Sequence, residues 1–376
     1  MSTATGKRVY IIAGEASGDL HASNLVKALR QVRPEVQLRG WGGDRMAAAG
    51  VEVVKHIREL AFMGFAEVVM NLRTILRNIT FCKVDIAAFA PDAIVLVDYP
   101  GFNLRIAEFA KLQGIPVFYY ISPQVWAWKA GRARQIKRDV DTMAVILPFE
   151  KAWYAERGMD VEFVGHPLLD AIEEEGKRPL QPLPGGSTAP VIALLPGSRL
   201  QEVSRMLPVM LQASASFKDH QRVVAAAPAL LDEVYRELIG DQDVLLVRDR
   251  TYDVLRMARA ALVTSGTATL ETALFGVPEA VCYSGGALNV WLAKRLVNVP
   301  FISLVNLIME REVVREMIQE DLTAEKLRAE LDRLLHDAPY RERMVHDLND
   351  LRARLGGPGA SEKAAQALWK ILGSTA

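Results

Sequence analysis

The chain has 376 residues, which at roughly 150 residues per domain suggests two domains. Half of the residues are hydrophobic and 24% are charged, a composition that excludes an intrinsically disordered chain. The 45 basic and 45 acidic residues cancel and there are two cysteines, so neither a nucleic-acid partner nor a disulfide scaffold is expected.

Strand and helix signals alternate through the first 170 residues. The predicted strands are residues 9–13, 94–97, 117–121 and 143–147, and the predicted helices are 19–32 and 103–113. Unbroken apolar runs separated by helices are typical of a buried parallel sheet, which binds ligands beyond the carboxyl ends of its strands. Every apolar run is too short for a signal peptide or a membrane span, so we expect a cytoplasmic protein.

A charged stretch that becomes rich in proline and glycine interrupts the alternation, and we predict a linker at 173–190. Strand and helix signals alternate again after this linker. From Glu310 to the end we predict only helix. The predicted strands here are 191–195, 223–227, 244–247, 261–264 and 278–283. We therefore expect two doubly wound domains, 1–172 and 191–355, on either side of a cleft. A C-terminal helix over 356–376 could pack back on the first domain.

The segment Gly14-Glu15-Ala16-Ser17-Gly18-Asp19 joins the first predicted strand to the first helix. Its glycines allow a tight turn, and a helix start offers free N–H groups. The third glycine of the dinucleotide-binding pattern is missing, and Glu15 and Asp19 would repel a pyrophosphate. The segment therefore predicts either a helix cap at Ser17 or Asp19, or a loop that binds a sugar or acceptor.

Asp98 follows a run of four apolar residues and would face the ligand crevice at the end of a buried strand. Partial burial would raise its pKa and suit it to accept a proton from a hydroxyl, although a turn or cap role is the alternative. After another strand, Trp126 and Trp128 precede a basic segment. That cluster is typical either of a surface for an anionic, partly apolar ligand or of a packed helix with a solvated face.

Apolar residues recur at helical spacing after Met63, at positions that include Phe65, Val68, Val69, Leu72 and Leu76. This amphipathic pattern predicts either a helix docked on the sheet or one that receives acyl chains or rests on a membrane surface.

Two helix starts in the second half follow predicted strands. They are Gly197-Ser198-Arg199 and Ser265-Gly266-Thr267, the second with Glu271 further along its helix. Backbone N–H groups, hydroxyls and the planar Arg fork suit phosphate oxygens, and Glu271 could accept both ribose hydroxyls. Together they predict a site for a nucleotide diphosphate. The six histidines have no spacing that suggests a metal.

Taken together, these motifs resemble the lipid-A-disaccharide synthase family of bacterial glycosyltransferases. The segments 14–19 and 122–128 are the most specific. The other matching segments follow in the same order along nearly the whole chain, at 63–65, 98–103, 147–150, 165–167, 195–199, 265–271, 292–297, 306–307 and 311–312.

The resemblance implies an α/β GT-B fold with two Rossmann-like parallel-sheet lobes around a cleft and a helical C-terminus. It implies transfer of the sugar of UDP-2,3-diacylglucosamine to the 6-hydroxyl of 2,3-diacylglucosamine 1-phosphate. The products are UDP and a β-1,6-linked disaccharide 1-phosphate in lipid A biosynthesis. No metal or other cofactor is implied. The expected location is peripheral, on the inner face of the inner membrane of a Gram-negative bacterium, and a homodimer is left open.

The resemblance also assigns roles. Asp98 is expected to be the base or an electrostatic stabiliser. The expected acceptor or sugar contacts are Gly14, Glu15, Ser17, Gly18, Asp19 and Trp126. The expected nucleotide contacts are Gly197, Ser198, Arg199, Ser265, Gly266, Thr267, Glu271, Asn306 and Arg311. The expected acyl or membrane contacts are Met63, Phe65, Val68, Val69, Leu72 and Leu76.

The sequence departs from the family pattern near Asn306 and Arg311. Val305 stands where a proline is usual, and Met309 and Glu310 stand where small residues are usual. Two other functions share the two-lobed architecture: a UDP-N-acetylglucosamine 2-epimerase-like enzyme and a solute-binding receptor.

Overall fold

The computed structural model describes residues 6–60, 72–128, 130–185, 188–228, 230–285 and 300–374. The chain divides into two compact units. The first contains Met1–Asp170 and Gly356–Ala376, and the second contains Ala171–Leu355. The predicted domain boundaries lie close to this division. The functions assigned to the two domains remain a proposal.

Parallel strands form the sheet of the first unit. They are β1 (Arg8–Ala13), β2 (Gln37–Gly42), β3 (Glu52–His56), β4 (Ala93–Val97), β5 (Val117–Tyr120), β6 (Thr142–Val145) and β7 (Glu162–Phe163). Their order across the sheet is β3-β2-β1-β4-β5-β6-β7. The order reverses between β1 and β4, so the loops after Ala13 and Val97 lie at the topological switch point where such sheets bind ligands.

The second unit repeats this plan. Its strands are β8 (Val191–Leu195), β9 (Gln221–Ala226), β10 (Leu245–Arg248), β11 (Ala258–Thr264), β12 (Glu279–Tyr283) and β13 (Arg315–Ile318). They pair in parallel in the order β10-β9-β8-β11-β12-β13. Its switch point lies between β8 and β11, next to the two predicted helix starts.

Helices connect the strands. Along the first half they are α1 (Ala16–Val32), α2 (Asp44–Ala48), α3 (Leu72–Phe89), α4 (Pro100–Leu112), α5 (Val125–Trp128), α6 (Ala133–Asp139), α7 (Pro148–Ala155) and α8 (Leu168–Gly176). Along the second half they are α9 (Leu200–Ser214), α10 (Asp232–Ile239), α11 (Thr251–Met257), α12 (Thr267–Leu274), α13 (Leu304–Met309), α14 (Ala324–His336), α15 (Ala338–Arg354) and α16 (Ala360–Ser374).

The first sheet is covered on both faces. One face packs against α1 and α16, and the other packs against α3, α4 and α6. Burial on both faces explains why β4 is apolar at every position, since neither side of the strand meets water. In the second unit β8 is buried in the same way, and α14 packs against both α9 and β11.

Several predicted elements differ from the structure. The first helix begins at Ala16 rather than at residue 19. The prediction of helix throughout from Glu310 is wrong, because β13 pairs with β12 at the edge of the sheet. The strands β2, β3 and β7 were not predicted. Strands at or near a sheet edge are partly exposed, so they lack the unbroken apolar run that marks a central strand.

The segment predicted as a linker is held against the second unit. It begins inside α8, and Leu183 is buried in the second core. The guanidinium of Arg250 donates to the carbonyl of Gln181 at 2.7 Å, and that of Arg256 donates to the carbonyl of Arg178 at 3.0 Å.

Candidate functional site

Asp98 follows β4 in an uncommon backbone conformation. Its φ is 44° and that of Tyr99 is 48°, in the left-handed region that few non-glycine residues adopt. The carbonyl oxygen of Asp98 accepts hydrogen bonds from the Asn103 amide at 2.7 Å and from the Tyr119 hydroxyl at 2.6 Å. Its N–H donates to the carbonyl of Tyr120 at 3.1 Å. These bonds hold the backbone of the predicted base in one position.

The carboxyl group of Asp98 is more basic than an ordinary aspartate. Burial raises the pKa of Asp98 to about 6, and the negative charge of Glu15 adds to the rise. At neutral pH the group is therefore still ionised. A base is most effective when its pKa lies near the working pH, so this carboxylate is suited to accept a proton.

The loop after β1 lies against the residue next to Asp98. A Cβ at Gly14 would lie 2.3–2.7 Å from three ring atoms of Tyr99, so only a glycine fits there. A Cβ at Gly18 would lie 3.3 Å from the Cβ of Ala13, which is a tight contact. Glu15, at the end of this loop, and Ser17, in the first turn of α1, are exposed. Their side chains are therefore accessible to a ligand at this switch point.

Asp19 is buried, and its carboxylate already has backbone partners. Its buried carboxylate accepts backbone hydrogen bonds from Gly43 at 2.6 Å, Arg45 at 3.2 Å and Met46 at 3.1 Å. Both carboxylate oxygens are therefore engaged at the start of α2, where they cap that helix. A sugar contact of Asp19 stays a prediction, and it would have to share this engaged carboxylate. The helix-cap alternative is wrong as stated, because the N-cap of α1 is Glu15, with no side-chain bond.

Trp126 is tied to the start of α7. Its ring N–H donates to Glu150 at 3.3 Å, and its ring meets Phe149 edge-to-face at 4.9 Å. Burial raises the pKa of Glu150 to about 7, against the lowering effect of the Leu147 and Ile146 N–H groups. The buried carboxyl group of Glu150 thus links the segment after β5 to the loop after β6 by hydrogen bonds.

A cavity of about 380 Å³ opens at the switch point of the second unit. Seven of the nine predicted nucleotide-binding residues line it, namely Gly197, Ser198, Arg199, Ser265, Gly266, Thr267 and Glu271. Other lining residues were not predicted, namely Glu202, Thr251, Thr264, Ala268 and residues 225–228. The loop 225–228 spans the end of β9, a strand that was predicted, so the rule that ligands bind at strand ends could have found it.

Glu271 and Thr264 are polar residues that line this cavity. The carboxylate of Glu271 accepts a hydrogen bond from the Tyr252 hydroxyl at 2.8 Å. Burial raises the pKa of Glu271, and that hydroxyl partly offsets the rise. The buried hydroxyl of Thr264 has no hydrogen-bond partner within the described ranges. A buried polar atom without a partner is costly, so a polar ligand atom would be favoured beside it.

The helix start at Gly197 is occupied by a side chain of its own helix. The backbone N–H groups of Ser198 and Arg199 donate to Oε2 of Glu202 at 3.0 and 3.3 Å. The Arg199 guanidinium donates to Oε1 of Glu202 at 3.1 Å. Gly197 has φ 108°, and a Cβ there would lie 2.6 Å from Oε2 of Glu202. A glycine is therefore needed both for the backbone and for the approach of Glu202.

Asn306 and Arg311 do not line the cavity. Asn306 is fully buried, and its amide bonds the backbone of Val313 and Val314 and the carboxylate of Glu316 at 2.7–3.0 Å. Arg311 forms an ion pair with Asp347 at 2.7 Å. Nucleotide contacts by these two residues stay a prediction, although Asn306 here holds its own loop and Arg311 contacts α15.

The expected acyl or membrane residues fall mostly outside the described residues, where Met63, Phe65, Val68 and Val69 lie. Leu72 is the first residue of α3. Leu76 is 53% exposed, whereas Ile79 is buried in the core beneath. Phe81 and Val84, on the same helix, are 46% and 63% exposed. The helix therefore docks on the sheet and also presents an apolar outer surface.

Within the described ranges, no group of three or more histidine, cysteine, aspartate or glutamate side chains is arranged to hold a metal ion. The expected independence from metal stays a prediction. No helix among these residues combines the length and the apolar character needed to cross a membrane.

Comparison with known proteins shows the family. A family model described as lipid-A-disaccharide synthetase matches residues 9–371. The chain belongs to this family. Its relatives named lipid-A-disaccharide synthase include one from Syntrophus aciditrophicus, 43% identical over 96% of both chains, and one from Geobacter metallireducens, 41% identical over 99% of both. The family predicted from the motifs is confirmed, and with it a glycosyltransferase of lipid A biosynthesis.

Solved structures with the same fold have other functions. The calicheamicin glycosyltransferase CalG4 covers 98% of both chains with a TM-score of 0.63 and 20% identity. A UDP-GlcNAc 2-epimerase from Neisseria meningitidis covers 96% of this chain and 100% of its own, with a TM-score of 0.68 and 14% identity. At these identities the likeness shows the fold alone. The predicted GT-B fold is confirmed, and the epimerase likeness gives no support for epimerase activity in a lipid-A-disaccharide synthetase family member.

Proposed function

We propose that this chain joins UDP-2,3-diacylglucosamine to 2,3-diacylglucosamine 1-phosphate. The observation that carries the proposal is Asp98, a carboxylate with a raised pKa on a backbone fixed by hydrogen bonds, at the switch point of a family member. As the acceptor 6-hydroxyl attacks C1 of the donor, Asp98 accepts its proton. The bond from C1 to the diphosphate oxygen breaks, and UDP leaves with the electron pair. One displacement turns the α linkage of the donor into the β-1,6 linkage of the product.

The second unit binds the UDP part of the donor in this proposal. The N–H groups at the start of α12 and the guanidinium of Arg199 offset the negative charge that grows on the departing diphosphate. Glu271 accepts hydrogen bonds from the ribose hydroxyls. The cavity of about 380 Å³ that these residues line has the size of a small-molecule site.

The first unit binds the acceptor sugar. Glu15, whose charge acts on Asp98, and Ser17, in the first turn of α1, are exposed and offer an acceptor and a hydroxyl to sugar hydroxyl groups. Gly14 and Gly18 let the loop lie close to Tyr99 and β4. Trp126 supports this side of the site through its bond to Glu150. Asp19 acts indirectly in this proposal, because its carboxylate accepts the N–H bonds that hold the start of α2 next to the loop.

Membrane attachment belongs to α3 in this proposal. Its outer surface, which we call the α3 patch, comprises Leu76, Phe81 and Val84, with exposed Arg73 and Arg77 at its amino-terminal end. Apolar side chains beside arginines are typical of helices that bind in the plane of an anionic membrane surface. The patch would bring the site to its acylated substrates. The inner-membrane location and a homodimer remain predictions.

The reaction is tested by mass spectrometry of the products formed from the two acylated sugars. We expect the disaccharide 1-phosphate and one UDP per disaccharide. Asp98→Asn should lower kcat by about 10²–10⁴-fold and still bind UDP, as expected for loss of a general base. Glu156→Gln, an exposed carboxylate on another loop, is the matched control. Near-normal turnover by Asp98→Asn would remove Asp98 as the base, and isomerisation of UDP-N-acetylglucosamine without disaccharide would refute the proposed reaction.

Membrane attachment is tested by sedimentation with vesicles that contain anionic lipid. Phe81→Ser with Val84→Ser should weaken binding while the protein still unfolds cooperatively, although loss of the Phe81 contact with Trp41 lowers the melting temperature somewhat. Leu231→Ser removes a more exposed leucine from the second unit and should bind as the parent does. If the double variant also bound unchanged, the α3 patch would not be the membrane contact.

A further inference from the structure

Glu202 already accepts hydrogen bonds from the groups at the start of α9 that would otherwise donate to a phosphate. Its Oε2 accepts the N–H groups of Ser198 and Arg199 at 3.0 and 3.3 Å, and its Oε1 accepts the Arg199 guanidinium at 3.1 Å. Glu202 also lines the cavity of the second unit. The carboxylate thus makes the contacts that an anionic ligand at this helix start would make.

The loop is shaped to admit this side chain. At Gly197 a Cβ would lie 2.6 Å from Oε2 and 2.7 Å from Cβ of Glu202, so any other residue would push the carboxylate away. The buried hydroxyl of Thr264, which lacks a partner among the described residues, lines the same cavity. That unused group points independently to a polar ligand here, so Glu202 and a ligand share one site.

We propose that Glu202 competes with the diphosphate of UDP for the N–H groups of Ser198 and Arg199 and for the Arg199 guanidinium. This inference rests on the proposed function. A carboxylate and a diphosphate cannot use the same donors, and their like charges repel each other. Glu202 therefore turns away when the donor binds. It returns to the helix start after transfer and promotes the release of UDP.

A plain helix cap would behave differently. A cap that only stabilises α9 would keep its bonds when UDP binds, and its loss would loosen the loop and weaken UDP binding. A competitor limits UDP affinity, so removing its charge strengthens binding. Glu202→Gln separates the two roles, because the amide oxygen still accepts N–H bonds at the helix start but no longer repels phosphate.

The test is isothermal titration of UDP and of uridine into the full chain, its Glu202→Gln variant and a Glu237→Gln control. Glu237 is an exposed carboxylate on α10. We expect Glu202→Gln to bind UDP about tenfold more tightly, which is the order of magnitude for removing one partly screened like charge. Uridine, which carries no phosphate, should bind all three proteins equally. UDP release, followed by stopped-flow displacement, should slow by a similar factor.

Glu202→Asp provides a second variant, because its carboxylate is one methylene too short to reach the same donors. It too should tighten UDP binding. Unchanged or weaker UDP binding by both variants, with uridine binding as in the parent, would overturn the competition and leave the proposed function intact. If the parent bound neither UDP nor uridine, the proposed function would fail, and this inference with it.

Discussion

Asp98 combines two features that destabilise a folded protein: a left-handed backbone and a half-buried, partly desolvated carboxylate. Because the pKa of Asp98 is raised, the free-energy cost of its desolvated carboxylate depends on pH. Between the ordinary aspartate pKa of 3.8 and about 6, the folded state holds a proton that the unfolded state has lost. The contribution of Asp98 to stability is therefore fully present below the lower pKa and is lost as the pH rises through about 6.

Asp98→Asn should consequently stabilise the protein while it removes activity. At pH 8 we expect the free energy of unfolding to rise by as much as about 3 kcal/mol, because each pKa unit corresponds to about 1.4 kcal/mol. At pH 4.5 most of this difference should vanish. Urea unfolding of both proteins at the two pH values measures it. A variant that is less stable than the parent at pH 8 would show that Asp98 stabilises the folded protein.

Glu15 tunes the base from the neighbouring loop. Its charge is the second cause, after burial, of the raised pKa of Asp98. Glu15→Gln should therefore move the acid limb of the pH profile of kcat/KM, centred near pH 6 in the parent, downward by less than one pH unit. Glu156→Gln, which removes a distant exposed carboxylate, should leave the limb in place. An unmoved limb in Glu15→Gln would mean that the charge of Glu15 does not act on the base.

At the scale of elements, the loop after β1 packs against the loop after β4, where Gly14 lies against the ring of Tyr99. A methyl group on Gly14 would overlap the ring of Tyr99, the residue that follows the base. Gly14→Ala should lower kcat by at least tenfold and cost about 1–3 kcal/mol of stability, as for other overpacked positions. Activity assays and thermal unfolding measure the two effects.

Gly101→Ala is the matched control for this substitution. It lies at the start of α4, with nothing within 4 Å of its added Cβ. Alanine is favoured over glycine in a helix, so this variant should be as active and slightly more stable. Equal behaviour of the two alanine variants would show that the contact between Gly14 and Tyr99 has no role in holding the base.

Most elements that form the sites could be predicted from the sequence, and the physical reason is burial. Central strands such as β1, β4, β8 and β11 are buried on both faces, so each is an apolar run and the residue after it marks a site. Edge strands such as β3 and β13 lack that pattern and were missed. The start of α1 was also placed three residues late, because its first turn contains glycine and small polar residues.

At the scale of the whole molecule, side-chain roles that depend on distant partners could not be predicted. The carboxylate of Asp19 follows a strand end, yet it is engaged by the N–H of Gly43, which is 24 residues away. Asn306 matched a family motif, yet its amide is engaged by Val313, Val314 and Glu316. A sequence shows which polar groups are available near a strand end. Only the folded chain shows which of them already have partners.

The C-terminal helix shows the same dependence on distant partners. Asp170 accepts N–H bonds from Gly359 at 2.5 Å and Ser361 at 3.0 Å, which caps α16. The apolar side of α16, including Leu368, is buried against the first unit's core beside α1. The first unit is thus completed by the last part of the chain, and its stability depends on residues beyond the second unit.

Leu368→Ala should therefore destabilise the first unit selectively. We expect a loss of about 2–5 kcal/mol, as for other buried leucines, with faster hydrogen exchange in β1, β4 and α1. Leu334→Ala, at an equally buried position in α14, is the matched control and should speed exchange in the second unit instead. Hydrogen-exchange mass spectrometry of both variants distinguishes the units. Should Leu368→Ala speed exchange in β8 and β11 as much as in β1, the two units would unfold together, and α16 would stabilise the whole chain rather than the unit it packs on.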